Sequence, residues 1–243
     1  IITVTTKGMQ TPEELASIGI RQTQGRIIAL TEDHCIPDKD WCEEIIEAHK
    51  ETFSAIGGPV VISTEDPVSW AFAFTDYYRY LSPVPEGPTP YLTVCNVSYK
   101  RESLEKVSYA WKHHFHEVAV HEALLKQGEL LYLTNRIKVR QWRELSFKEA
   151  LHERYSFGRL FGSRRAIDIH PQRRIIYTIF APLIPLLLFG RMVKNIVQRK
   201  NSLAQLFVSF PYLWLFILSW SLGEFIGNLT GKSPSDIYIA RDN

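Results

Sequence analysis

The chain has 243 residues, with 28 Lys+Arg against 26 Asp+Glu, 45% apolar and 22% charged. Those proportions describe a folded globular chain and exclude a disordered tail, a collagen-like fibre and a strongly basic nucleic-acid binder. A mean hydropathy near zero averages two unlike parts: to about residue 174 the chain reads as a soluble α/β domain, and beyond that it is mostly apolar. Three cysteines, Cys35, Cys42 and Cys95, form no CxxC pair, which predicts reduced, buried thiols in a cytosolic environment.

Ile1-Ile2-Thr3-Val4-Thr5 reads as a β-strand entered midway. Thr11-Pro12-Glu13-Glu14 opens a helix with a capping Thr, a Pro in the first turn and acidic residues behind it, running to about Gln24 with Gly25 as its stop. Residues 26–30 are a short apolar strand of the buried type, emptying into Thr31-Glu32-Asp33-His34-Cys35-Ile36-Pro37. A helix is predicted from Trp41 to about Thr52, then a strand over 55–62 that contains the pair Gly57-Gly58. A helical stretch over 70–80 precedes the Pro/Gly-rich loop 83–88. Residues 91–99 read as strand, 101–107 as helix, 116–127 as a helix ended by Gly128, and 130–133 and 137–139 as strands. Strands alternating with helices predict an α/β layered sheet.

The last third differs. Residues 175–190 carry no charge but two prolines, Pro182 and Pro185, and residues 206–223 are uncharged and rich in aromatics. A membrane span needs about 20 apolar residues, so the second segment qualifies, while the first fits a kinked span or an interfacial helix. The intervening loop carries Arg191, Lys194, Arg199 and Lys200. The outer flanks carry Arg164, Arg165, Arg173, Arg174, Lys232 and Arg241, a balance that places the globular domain on the cytoplasmic side of a hairpin.

The residues best placed for chemistry are Glu32, Asp33 and His34, at the end of a buried strand, where open α/β sheets put their ligand sites. Such a group can hold a hard divalent cation with substrate phosphates completing the shell; a solvated acidic turn is the bland alternative. Further on, His113, His114, His116, Glu117 and His121 crowd together. A zinc-protease helix needs two histidines four apart, but position 120 is Val and His121 lies about 140° around the helix from His116. Neither a dinucleotide-binding Gly-x-Gly-x-x-Gly nor a Walker loop is present.

The run from Gly25 to Trp41 resembles the strand-to-acidic-turn signature of family 2 glycosyltransferases, in which the strand ends in an Asp-x-Asp type motif followed by a Pro and an aromatic-led helix. Gly57-Gly58 resembles that family's glycine pair, and Cys95-Asn96-Val97-Ser98-Tyr99-Lys100-Arg101 its Asn-containing strand. Glu117, eleven residues before Gly128, falls where the family has the second acidic residue of a Glu-Asp pair; His116 stands where its Glu would be. The resemblance implies a GT-A fold, a mostly parallel sheet flanked by helices, over residues 1–165. Two membrane-associated or transmembrane helices follow over 166–232, then a polar tail over 233–243. It implies transfer of a sugar from a nucleotide-diphosphate donor with inversion, assisted by Mn or Mg. Carried over by position, Glu32 and His34 hold the metal, Asp33, Asn96 and Arg101 contact donor or acceptor, and Glu117 is the general base.

The processive Gln-x-x-Arg-Trp motif has no match, which favours transfer of a single sugar. The apolar tail points to a lipid-linked or envelope acceptor at a membrane, and no nucleic-acid partner is expected. The family's opening strand and Pro-x-Tyr-Asn type loop have no counterpart here, so the sequence is expected to start at about the family's third strand. A piece lacking that loop is expected to be inactive alone. The rival reading is a catalytically silent, membrane-anchored binding module of the same fold.

Overall fold

Burial of the alternating apolar runs sorts the chain into two sets of contacts. The computed structural model describes residues 3–6, 10–143, 145–168, 183–199 and 202–232. Its contacts divide the chain into one unit of Ile1–Ser63 with Tyr80–Trp142 and a second of Thr64–Arg79 with Arg143–Asn243. In this division residues 64–79 and 145–165 go with the C-terminal helices.

In chain order the elements are α1 (Pro12–Gln22), β1 (Ile27–Thr31), β2 (Cys35–Pro37), α2 (Trp41–Ala48), β3 (Ala55–Gly57), β4 (Val60–Ile62), α3 (Pro67–Tyr77) and β5 (Gly87–Pro88). They continue with β6 (Asn96–Lys100), α4 (Arg101–Lys106), α5 (Glu117–Lys126), β7 (Leu131–Leu133), β8 (Val139–Gln141), α6 (Phe147–Asp168), α7 (Ile184–Arg199) and α8 (Leu203–Thr230). The start of α1 follows the sequence rule closely: the Thr11 hydroxyl accepts from Glu14 N at 3.2 Å, and Glu14 accepts from Thr11 N at 2.8 Å. Residues 3–6 join no strand.

The first unit holds two sheets. One has the order β1-β6-β3-β7-β5 and the other β2-β8-β4. The expectation of a mostly parallel sheet needs correction. Only β3·β7 is parallel in the larger sheet, while β6 runs antiparallel to both β1 and β3, and β5 to β7. β1, β3 and β7 still share one direction, with β6 wedged between the first two. The strand predicted over 55–62 is in fact two, because the chain leaves one sheet for the other at Gly58-Pro59. A Cβ on Gly58 would lie 1.7 Å from Ile137 O, so only glycine permits that crossing. The core packs Ile28, Val97 and Tyr99 of the sheet against Leu104, Phe115 and Leu124 from the helical side. Each such side chain contributes about 1.5–3 kcal/mol on burial.

The second unit is helical. α6 and α8 run side by side in the same direction: Phe147 meets Tyr212 and Phe216, the Ser219 hydroxyl donates to Leu151 O, and Glu224 pairs with Arg165. Two glycine strips make this closeness possible. A Cβ on Gly158, Gly162, Gly223 or Gly227 would come within 2.0–2.2 Å of a carbonyl oxygen of the facing helix, the small-xxx-small packing familiar between membrane helices. Arg154 is buried between Phe72 and Phe157 and pairs with Asp76, and Arg143 grips Glu153 with two nitrogens.

α6 is a helix that the sequence patterning does not predict. Likewise the expected loop at Arg191 and Lys194 is helical, within α7. The first apolar segment lies partly, and the polar tail over 233–243 wholly, outside the described residues. Among the described residues one helix, α8, is long and apolar enough to cross a membrane.

Candidate active site at the edge of the sheet

β1 delivers its C-terminal residue, Thr31, opposite Asn96 at the start of β6, and β3 and β7 end at the same edge with Gly57 opposite Leu133. The chain then turns: Cys35 N donates to Glu32 O at 3.0 Å. It enters the second sheet at once, with Cys35 opposite Gln141 and Trp142 N donating to His34 O at 2.7 Å. The acidic turn is thus clamped at one end by each sheet, which fixes the directions of its side chains.

Glu32 and His34 converge. Glu32 Oε2 lies 3.0 Å from His34 Nε2, and Asp33 Oδ1 lies 3.0 Å from His34 Nδ1. The imidazole is mostly covered, at 17% exposure, while the Asp33 carboxylate is 92% exposed. The hydrogen bond to Glu32, helped by that to Asp33, outweighs the cost of burial and raises the His34 pKa to about 9. Cys35 follows, buried, and the sulfur of Cys35 with the Glu32 and His34 ligand atoms forms a group all within 4.8 Å of one another. Its thiol meets that of Cys95, which lowers the Cys35 pKa and, together with burial, raises that of Cys95. Thr93 Oγ1 lies 3.2 Å from Cys95 Sγ.

Glu117 stands at the first position of α5, half-buried. Burial raises its pKa above the usual carboxylate value; its own backbone N–H and His116 oppose that, and the charges of Glu32 and Glu13 add to it. The structure therefore brings Glu117 and Glu32, 85 residues apart in sequence, into electrostatic reach of each other. One turn further along α5, His121 is fully buried. Leu92 N donates to its Nδ1 at 3.4 Å, so the ring proton sits on Nε2, which donates to the Tyr99 hydroxyl oxygen at 2.8 Å. Desolvation drops the His121 pKa to about 3.

Asn96 and Arg101, expected to contact donor or acceptor, are each held by hydrogen bonds within the protein. Asn96 is fully buried, accepting from Trp41 Nε1 at 2.9 Å and donating to Pro59 O and Ile137 O. Its amide is spent on joining α2 and the Gly58-Pro59 crossing to the sheet. Arg101 follows the far end of β6, beside Ile27 at the beginning of β1, because β6 runs antiparallel to β1. A five-residue strand puts it about 17 Å from the acidic turn. There it donates to Gly25 O and Thr23 Oγ1, each at 2.7 Å. Cys35 was overlooked from sequence as a buried thiol; its place directly after Glu-Asp-His was the available signal.

Residues 16–108 match the family model described as Glycosyl transferase family 2. No curated protein matches the chain.

Proposed function

We propose, from the match of residues 16–108 to the family 2 glycosyltransferase model and from an α/β sheet flanked by helices, that this chain carries out a metal-assisted transfer of a single sugar with inversion. The donor is a nucleotide-diphosphate sugar and the acceptor a hydroxyl of a lipid-linked or envelope molecule at the cytoplasmic face of a membrane. What supports this reading above all is the half-buried Glu117 carboxylate, with its pKa raised, within electrostatic reach of Glu32 at one sheet edge. A base of raised pKa is better matched to abstracting a proton near neutral pH.

In this mechanism Glu117 takes the proton of the acceptor hydroxyl as its oxygen attacks the anomeric carbon from the face opposite the diphosphate. The bond from that carbon to the diphosphate oxygen breaks, and configuration inverts. Glu32 and His34 offer carboxylate and imidazole donors that suit Mn, and less well Mg. A cation bound there supplies Lewis-acid neutralisation of the charge gathering on the diphosphate. The clamped turn holds those ligands in place.

Release of UDP or GDP from a panel of UDP- and GDP-sugars, with Mn2+ and detergent-dispersed lipid-linked sugars that carry free hydroxyls as acceptors, tests the reading. Glu117→Gln should slow release by about 10²–10⁴-fold, the usual weight of a general base, with UDP or GDP binding by calorimetry unchanged. Undiminished release in the variant removes Glu117 from the mechanism. Donor binding without turnover in the full-length protein supports a silent binding module instead.

A further inference from the structure

We propose that the turn Glu32-Asp33-His34-Cys35 is a mixed oxygen, nitrogen and sulfur site for a borderline divalent cation, Zn2+ before Mg2+. Cys35 is its third ligand, and Asp33 lies outside the coordination shell as the residue that aims His34. The inference deepens the reading above by naming the class of ion, and rests on it only for the ion's role at a diphosphate.

Three observations converge. First, the Glu32, His34 and Cys35 ligand atoms lie within 4.8 Å of one another, with Glu32 Oε2 3.0 Å from His34 Nε2. Ligands at about 2.0–2.3 Å from a tetrahedral ion stand roughly 3.3–3.6 Å apart, so one ion can reach all three with small side-chain adjustments. Second, the other imidazole nitrogen, Nδ1, faces Asp33 Oδ1 at 3.0 Å. That is the carboxylate–histidine–metal arrangement, which fixes the tautomer and turns Nε2 toward the ion. Asp33 therefore acts through His34 rather than on the ion.

Third, the sulfur is held in place. Cys35 begins β2, pairs with Gln141, is buried, and adjoins the Cys95 thiol. Mg2+ seeks near-octahedral oxygen ligation, whereas thiolate and imidazole favour Zn2+ and its neighbours. Three protein ligands leave a fourth position open, the pattern of zinc sites that bind water or substrate. An oxygen of a diphosphate fits that position.

Co2+ serves as the spectroscopic probe on the chelator-stripped full chain in detergent. One equivalent should produce the intense visible bands of a four-coordinate ion and a thiolate-to-cobalt charge-transfer band in the near ultraviolet. Zn2+ should abolish both stoichiometrically, and about a hundredfold excess of Mg2+ should not. Cys35→Ser should lose the charge-transfer band, and Asp33→Asn should keep it while weakening Co2+ binding about 10–100-fold. Should Cys35→Ser fail to fold, zinc K-edge X-ray absorption of the Zn2+-loaded parent chain replaces it and should show one sulfur neighbour at about 2.3 Å.

Absence of the charge-transfer band, its survival in Cys35→Ser, displacement of Co2+ by Mg2+, or a bound Zn2+ without a sulfur neighbour overturns the proposal. A charge-transfer band in a chain that binds no nucleotide sugar upholds it while removing the donor reading. Nucleotide-sugar binding supported by Mg2+, without that band, does the converse.

Discussion

Glu117 and His121 share one helix, and burial moves their pKa values in opposite directions by disfavouring the charged form of each, with a measurable consequence for both. Glu117 must be ionised to accept a proton, and burial with nearby Glu32 raises its pKa above 4.5. Transfer should therefore fail on acidification at a higher pH than an ordinary carboxylate would dictate, as an acid limb in the pH profile of kcat/KM with UDP- or GDP-sugar. His121 and His49 are held neutral by burial, with pKa values of about 3 and 4 against 6.5 when unfolded. Between those values the unfolded chain binds more protons, so stability should decline as pH falls from about 6.5 towards 4. The limiting slope is about 1.4 kcal/mol per pH unit for each histidine. Urea midpoints at pH 7 and pH 5 check this, and His121→Gln should flatten the dependence.

At the scale of elements, the α6–α8 contact depends on the absence of side chains. A Cβ on Gly162 would meet Glu224 O at 2.2 Å, whereas one on Gly190 in α7 meets nothing within 4 Å. Gly162→Ala should force the two helices apart and cost about 1–3 kcal/mol or more. Gly190→Ala should be neutral or gain up to about 1 kcal/mol through helix propensity. Thermal melts of both variants in the same detergent make the comparison. Arg154→Leu would leave Asp76 without its guanidinium partner in a covered setting, a loss of about 3–5 kcal/mol by the usual penalty for breaking a buried pair.

For the whole molecule, α8 has 28 residues, about 42 Å of helix against a hydrocarbon core of about 30 Å. One side of it is buried in the helical unit through Leu213, Phe216 and Ile217, while Phe207, Leu215, Leu218 and Leu222 are exposed. Replacing Leu215 and Leu218 by Arg should reduce flotation of the full chain with phospholipid vesicles, at about 2.5–3.5 kcal/mol per charge near the centre of a span. Flotation equal to the parent would argue against α8 as the membrane element.

Much of this was legible because it is local. Thr11 and Glu14 close their capping box within one turn of chain, Glu32-Asp33-His34 follows directly from where an apolar strand runs out, and the length of the apolar run around 206–223 suffices to mark α8. Those features depend on neighbours a few residues away, so sequence by itself determined them. What depended on distant partners was decided only by tertiary structure. The antiparallel register of β6 carries Arg101 to the opposite edge, while Asn96 fills its hydrogen bonds with Trp41, Pro59 and Ile137. Cys35 stands beside Glu-Asp-His in the sequence, but its sulfur is brought within reach of the Glu32 and His34 ligand atoms by the turn that two sheets clamp. The glycines of α6 and α8 acquire their meaning from a facing backbone some sixty residues away, since a side chain's role is set by where the pairing of remote segments points it.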